Sequence, residues 1–248
     1  MVLEKLISNS SKRSAASEIF DKKIAIDSSV MCDYSSNIDS IIEKILEWVN
    51  ENFGSSLFIN GKEEFFWKTG KVFNDDLIFN ERMNYFIDCF IFQRLLEVTN
   101  PRFLGKTPFT AFMESDKAKD DMLKLSGARH SIFLVLKKMK NSILVKDLLN
   151  SNRFQITLRE KENIVYAMEP KILFQGHVYF FSGQYFLSHG LLFHPRKVLR
   201  IIKKIIKNAK TEINFYESVV LSHLAKLELK YQRHRHIDPK SIYLSETF

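Results

Sequence analysis

Apolar residues recur at steps of three and four along Ile38, Ile41, Ile42, Ile45, Leu46 and Val49. That spacing is one face of a helix. Ser36 or Asn37 can cap its start and Gly54 stands just past its end, so a helix is predicted over 38–52. Residues 55–73 admit two readings. Asn60-Gly61 suits a hairpin turn, and Lys62 to Lys68 suits a turn of helix. From Asp76 to Val98, Phe79, Met83, Phe86, Phe90 and Leu95 mark one helix side, and Ile87 and Ile91 widen it. Such a helix is buried around most of its circumference. Asn100-Pro101 ends it, Thr107-Pro108 starts a short helix with Thr107 as cap, and a further helix is predicted from Asp116 to Leu125.

The period changes near His130. Ser131 to Leu136, Ile143 to Leu149, Phe154 to Arg159, Ile164 to Tyr166, Ile172 to Phe174, Val178 to Phe181 and Tyr185 to Leu187 read as short strands divided by Asn, Ser, Gly and Pro. Strands at that spacing predict an antiparallel sheet or small barrel. His194-Pro195 closes the region, and Pro195 suits the first position of a helix running to about Ala209. A second helix, or a continuation of the first, reaches about Arg233.

The predicted fold class is α+β, in five parts. A partly mobile leader (1–37) precedes a helical region (38–128). An antiparallel β region (129–195), a basic amphipathic helical region (196–236) and a tail (237–248) follow.

Length and composition support this picture. The chain has 248 residues, 45% of them hydrophobic, enough to bury a core. Cys32 and Cys89 form no disulfide framework, and Cys89 in its aromatic surroundings reads as a small core residue. A reducing, cytoplasmic setting is expected. Residues 172–195 contain no Asp, Glu, Lys or Arg. They do contain Gln175, His177, Gln184, His189 and His194, which hydrocarbon would leave unpaired at several kcal/mol each. Two strands around a Gly turn are expected there, and no transmembrane segment.

Charge changes the picture most. Residues 196–236 hold eleven Lys and Arg against three Glu, a surplus equal to the net +8 of the whole chain. Val198, Ile201, Ile202, Ile205, Ile206 and Ala209 form an apolar stripe. Arg196, Lys197, Arg200, Lys203, Lys204, Lys207 and Lys210 occupy the other side. A stripe of this kind can neutralise phosphates, meet anionic lipid or acidic protein, or simply be solvated. Tyr179, Phe181, Tyr185 and Phe193 are candidate rings for stacking bases beside it, or core residues of the sheet.

Catalytic signals are sparse. His130, His177, His189 and His194 fall in the β region with Asp147, and an imidazole oriented by a carboxylate can act as a general base. No phosphate loop, dinucleotide fingerprint or Gly-x-Ser-x-Gly elbow accompanies them. Glu160, Glu162 and Glu169 alternate with Arg159 and Lys161 as in a solvated hairpin. His234-Arg235-His236 offers too few ligands for a metal. No cofactor and no metal are expected.

Several turns carry a resemblance. They are the aromatic run Phe86 to Phe92, Gly105-Lys106-Thr107-Pro108, Asp147-Leu148-Leu149, Phe181-Ser182-Gly183 and Phe193-His194-Pro195 before a basic helix. In these, residues 86–207 resemble a group of uncharacterised bacterial proteins. This chain departs from them at Asn150-Ser151-Asn152, where Thr-Gly is expected, and it has no cysteine after Cys89. The resemblance implies a bacterial, cytoplasmic origin and no activity.

The leading expectation is a non-enzymatic binding or scaffold protein whose basic helices meet a polyanion such as nucleic acid. Two alternatives stay open. One is a protein–protein module, including a homodimer, using the apolar stripe. The other is a hydrolase-type enzyme using the β-region histidines with Asp147.

Overall fold

The computed structural model describes residues 34–98, 100–120, 122–158, 168–212 and 215–245. The leader up to residue 33, the strand expected at 164–166 and most of the 159–169 hairpin lie outside them. The chain divides into two compact units, Met1–Glu64 with Val72–Gly127, and Phe65–Lys71 with Ala128–Phe248.

The first unit is helical. Helix α1 (Tyr34–Phe53) carries the Ile periodicity and starts before the expected cap. Gly54 ends it at φ 74°, donating its N–H to the Asn50 carbonyl. Ile38, Ile41, Ile45, Leu46, Trp48 and Val49 are all buried, and the Trp48 indole meets Phe53, Phe103 and Phe112 edge-on. Helix α2 (Ser55–Thr69) resolves the ambiguity of 55–73 in favour of helix. Gly61 therefore marks a close approach, not a hairpin. A Cβ there would stand 2.8 Å from the Phe90 ring on α3 (Phe79–Phe92).

Helix α3 stops six residues earlier than periodicity suggests. Past Gln93 the backbone turns, and Leu96 exchanges hydrogen bonds with Gly105 and Lys106 instead of continuing the helix. Its circumference is buried as expected, with Arg82 and Asp88 buried among the apolar residues. Helix α4 (Pro108–Met113) has the predicted cap, with Thr107 Oγ1 accepting from the Thr110 N–H at 3.2 Å. The helix expected over 116–125 is reduced to a single 3-10 turn (Met122–Lys124), because the chain enters its first strand at Leu125.

The second unit is built on a barrel. Its strands are β1 (Leu125–Lys138, of which Ala128 onward belongs here), β2 (Ser142–Asp147), β3 (Arg153–Thr157), β4 (Leu173–Phe181), β5 (Gln184–Leu187) and β6 (Leu192–His194). They lie in the order β1-β2-β3-β5-β4-β6, and β1 also pairs with β4. Five strands thus close on themselves, with β6 added outside. One contact, β3 with β5, is parallel, so the sheet is mixed where an antiparallel one was expected. A register shift between Val135 and Lys137 marks a bulge in β1, which adds local bend.

Side-chain alternation separates two cores. Phe133, Val135, Ile143, Val145, Ile156, Phe174, Val178 and Leu187 form one cluster. Ile132 and Leu173, from the opposite faces of β1 and β4, join Val198, Ile202, Ile206, Leu221, Leu224 and Tyr243 in the other. That second cluster docks the helical layer: α5 (Leu199–Ala209, after a 3-10 turn Arg196–Val198), α6 (Glu217–Arg233) and α7 (Pro239–Leu244). Strand β4 joins two strands predicted separately. Gly176 lies within it because a Cβ there would stand 2.7 Å from the Gly190 carbonyl. The expected tail is helical from Pro239 to Leu244, with Ile242 and Tyr243 buried.

A hydrogen-bonded chain ties α6 and α7 to the barrel. Gln175 donates through Nε2 to the Leu221 carbonyl on α6, which leaves its Oε1 to accept from His194 Nε2–H at 3.2 Å. Its Nδ1 shares a hydrogen bond with the Tyr243 hydroxyl at 2.7 Å. All three side chains are buried. Removing the hydroxyl leaves the buried Nδ1 without this partner, so Tyr243→Phe is expected to cost about 1–2 kcal/mol. An unchanged midpoint in urea unfolding would rule out a latch of this kind.

Candidate nucleic-acid interface

Helix α5 is one sided because its sequence is. Isoleucines at 202, 205 and 206 and Ala209 point into the second core, with Ile202 at 0% and Ile206 at 4% exposure. The docked stripe fixes where the remaining face must go. Arg200, Lys203, Lys204 and Lys207 fall within an arc of roughly 100°, at 100° per residue. Arg196 and Lys197 extend the row over the preceding 3-10 turn and Lys210 ends it. All seven side chains are exposed. Among the described residues none of them forms an ion pair. Lys210 differs from the others, since its ammonium donates to the Leu149 carbonyl. The apolar stripe is spent inside the unit, so it is not presented to a second copy or to lipid.

The barrel adds a feature that linear reading missed. Lys146 on β2 and Arg153 on β3 stand directly opposite each other in the register. Like charges so placed repel, and neither is ion-paired with a described residue. Arg153 and its neighbour Gln155 are exposed. Only the strand register brings this pair together, so neither residue alone signals it.

The aromatic candidates need correction. Tyr179 and Phe181 are buried at 3% and 1% exposure, because every residue of β4 except Phe180 is covered. Neither offers a face to a base. Tyr185 is half-buried, with its ring 4.9 Å from Phe154 and 5.0 Å from Phe180, which is 37% exposed. Phe193 is half-buried.

The histidines and Asp147 do not share one site. His130 and His177 stack face to face, with ring centroids 4.3 Å apart and planes within 4°. One ring nitrogen of each lies within 4.8 Å of the other. Burial, then the charge of Arg129, depresses His130 to about 3; burial, then His130, holds His177 well below its ordinary value. His194 belongs to the Gln175–Tyr243 chain, and His189 is exposed.

Asp147 is fully buried and is occupied as a turn former. Its Oδ1 accepts from Ser131 Oγ and from the Leu149 and Asn150 N–H groups, and its Oδ2 accepts from Arg129 Nε at 3.0 Å. Arg129 in turn forks onto Glu217, at the first turn of α6, at 2.9 and 3.2 Å. Burial opposes the charge on Arg129, but Glu217 and Asp147 outweigh it and raise its pKa. His130, between Arg129 and Ser131 on β1, projects to the other side of the strand. The carboxylate therefore orients a turn and an arginine, not an imidazole.

No helix among the described residues is long and apolar enough to cross a membrane. Comparison with protein-family models, with curated proteins and with solved structures finds no match to the chain.

Proposed function

We propose that this protein binds nucleic acid through the cationic face of α5, without catalysing a reaction. The observation that carries this reading is the exposed row from Arg196 to Lys207, which has no acidic partner among the described residues and stands on a helix whose other face is buried. A solvated lysine face kept for solubility would ordinarily be interspersed with acids, as on most helices; α5 has none.

The barrel order supports the same class of ligand. Five-stranded Greek-key barrels include the type that binds oligonucleotides and oligosaccharides across its open wall. This is a likeness of topology, so it narrows the class and assigns no residue. The Lys146–Arg153 pair on β2 and β3 adds positive charge to the barrel wall.

Binding of a labelled 20-nucleotide DNA, followed by anisotropy, is expected to fall steeply between 50 and 200 mM salt. Each phosphate neutralised contributes about 0.9 to the log–log slope for duplex and about 0.7 for single strands. Lys203→Glu with Lys207→Glu is expected to weaken binding on the order of tenfold or more at 50 mM salt and to flatten the slope by about two contacts. Both sites are exposed, so folding is preserved. Binding insensitive to salt, or equal in parent and double variant, defeats the proposal.

A further inference from the structure

Two cations of the barrel stand where the fold gains nothing from them. Lys146 on β2 and Arg153 on β3 form the last pair of their ladder before the turn. Side chains so paired project from one face with their Cβ atoms about 5 Å apart, and like charges there weaken the pairing. Neither forms an ion pair among the described residues. The register also places them beside α5. Lys146 is opposite Leu134 on β1, so Leu134, Lys146 and Arg153 make one row across a single face of three strands. Leu134 packs against the core in which Ile202, Ile205 and Ile206 of α5 are buried. Exposure rises along the row, from the half-buried Leu134 and Lys146 to the exposed Arg153. The row therefore runs out from beneath the helical layer into solvent.

A direct contact fixes the same neighbourhood. Lys210, at the end of α5, donates its ammonium to the Leu149 carbonyl, inside the turn that joins β2 to β3. Leu149 is three residues from Lys146, at most about 11 Å by chain reach. All of these residues belong to the second unit. Arg200, Lys203, Lys207 and Lys210 lie within an arc of about 80° on α5 and span about 15 Å of its axis. At Lys210 this line meets the turn, and Lys146 and Arg153 continue it onto the barrel. The acid nearest in sequence to Lys210 is Glu212, exposed just past the helix end, and the Asp147 carboxylate is buried against Arg129. A small anion needs one stretch of this line. A phosphate backbone can follow all of it, and a phosphate between Lys146 and Arg153 offsets the repulsion that their register imposes.

We infer that the α5 row and the Lys146–Arg153 pair are one phosphate track, along which the backbone of a nucleic-acid chain passes from helix to barrel. This rests on the nucleic-acid reading of α5 and extends the contact to two residues outside that helix.

The test uses the full chain, the labelled 20-nucleotide DNA and Lys146→Glu, a change that acts in opposite directions on fold and ligand. Facing Arg153, the new carboxylate makes an opposite-charge pair, so the urea midpoint should hold or rise. DNA binding at 50 mM salt should weaken on the order of tenfold, and the salt slope should flatten by about two contacts, because Arg153 is neutralised as Lys146 is lost. Lys146→Arg keeps the charge and should bind like the parent. Arg153→Ser, at an exposed position, should flatten the slope by about one contact and carries the test if Lys146→Glu folds poorly. Adding Lys203→Glu and Lys207→Glu to either variant should weaken binding further. Two outcomes overturn the inference. One is parent-like affinity and slope in both Lys146→Glu and Arg153→Ser. The other is Lys146→Arg binding as poorly as Lys146→Glu, which shows that shape at this position matters and charge does not. If either occurs while Lys203→Glu with Lys207→Glu still removes salt-dependent binding, the α5 reading survives. If the parent binds no DNA, both fall.

Discussion

Replacing Arg129 by alanine is expected to lower unfolding free energy by about 3–5 kcal/mol, the usual penalty for stranding a buried charge. Asp147 is fully buried, and Arg129 supplies its cationic partner. The three other donors to the carboxylate, Ser131 and two turn amides, are neutral and satisfy its geometry without balancing its charge. The loss should appear in urea as a lower midpoint at unchanged slope. Two companions separate the cause from general damage. Arg129→Ala with Asp147→Asn removes the stranded charge while keeping an acceptor for Ser131 and the amides, so it should recover much of the loss. Glu217→Gln touches only the outer half of the network, where the side chain is 39% exposed, and should cost under about 1 kcal/mol. A single Arg129→Ala variant within about 1 kcal/mol of the parent would mean that water reaches Asp147 and that the network is not the joint between β1, the β2 turn and α6.

This joint explains why the sequence made Asp147 look like chemistry. An aspartate among histidines, in a β region, has the composition of a general base and its orienting acid. What decides the matter is direction along the strand. Arg129 and Ser131 reach Asp147, and His130 between them points away to His177. Alternation of this kind can be written from sequence only when the strand's faces are known, and here β1 is covered on both sides from Ser131 to Phe133.

The same physics separates what was readable from what was not. The periodic isoleucines of α1 and α5 were readable because a helix brings i, i+3 and i+4 together without help from the rest of the fold. The Thr107-Pro108 start was equally local. The seven basic residues were placed on one side for the same reason, and all seven are exposed. Non-local contacts were not readable. Gly61 and Gly176 both look like turn residues, yet each marks a close approach by a distant group, the Phe90 ring or the Gly190 carbonyl. The parallel β3–β5 contact and the closure of β1 on β4 follow from barrel formation, not from any segment's pattern. Tyr179 and Phe181 were misjudged because a strand covered on both faces gives no polar alternation to show which side is wet. Tyr243, in a charged tail, gave no sign that it closes a hydrogen-bonded chain 49 residues away in sequence.

Acid should weaken the second unit, and the stacked histidines supply the reason. Burial keeps both imidazoles neutral in the fold, His130 down to about 3 and His177 well below its usual value, while in the unfolded chain each titrates near 6.5. A depressed histidine pKa leaves stability untouched above about 6.5. Below that, the unfolded chain takes up protons that the fold refuses, and stability falls until the folded groups titrate. Between pH 7 and pH 5 the loss is roughly 2 kcal/mol for His130 by that linkage, and His177 adds a loss in the same direction. The two rings are 4.3 Å apart, so a first proton opposes a second, and the pair gains charge in steps. Urea midpoints at the two pH values give the parent slope, which also contains carboxylate contributions. His177→Phe keeps a flat ring against His130 and removes one titrating group. Its stability should therefore fall measurably less than the parent's over the same range. Equal losses in parent and variant would show that His177 accepts its proton inside the fold as readily as outside, which a fully buried ring against a second imidazole should not do.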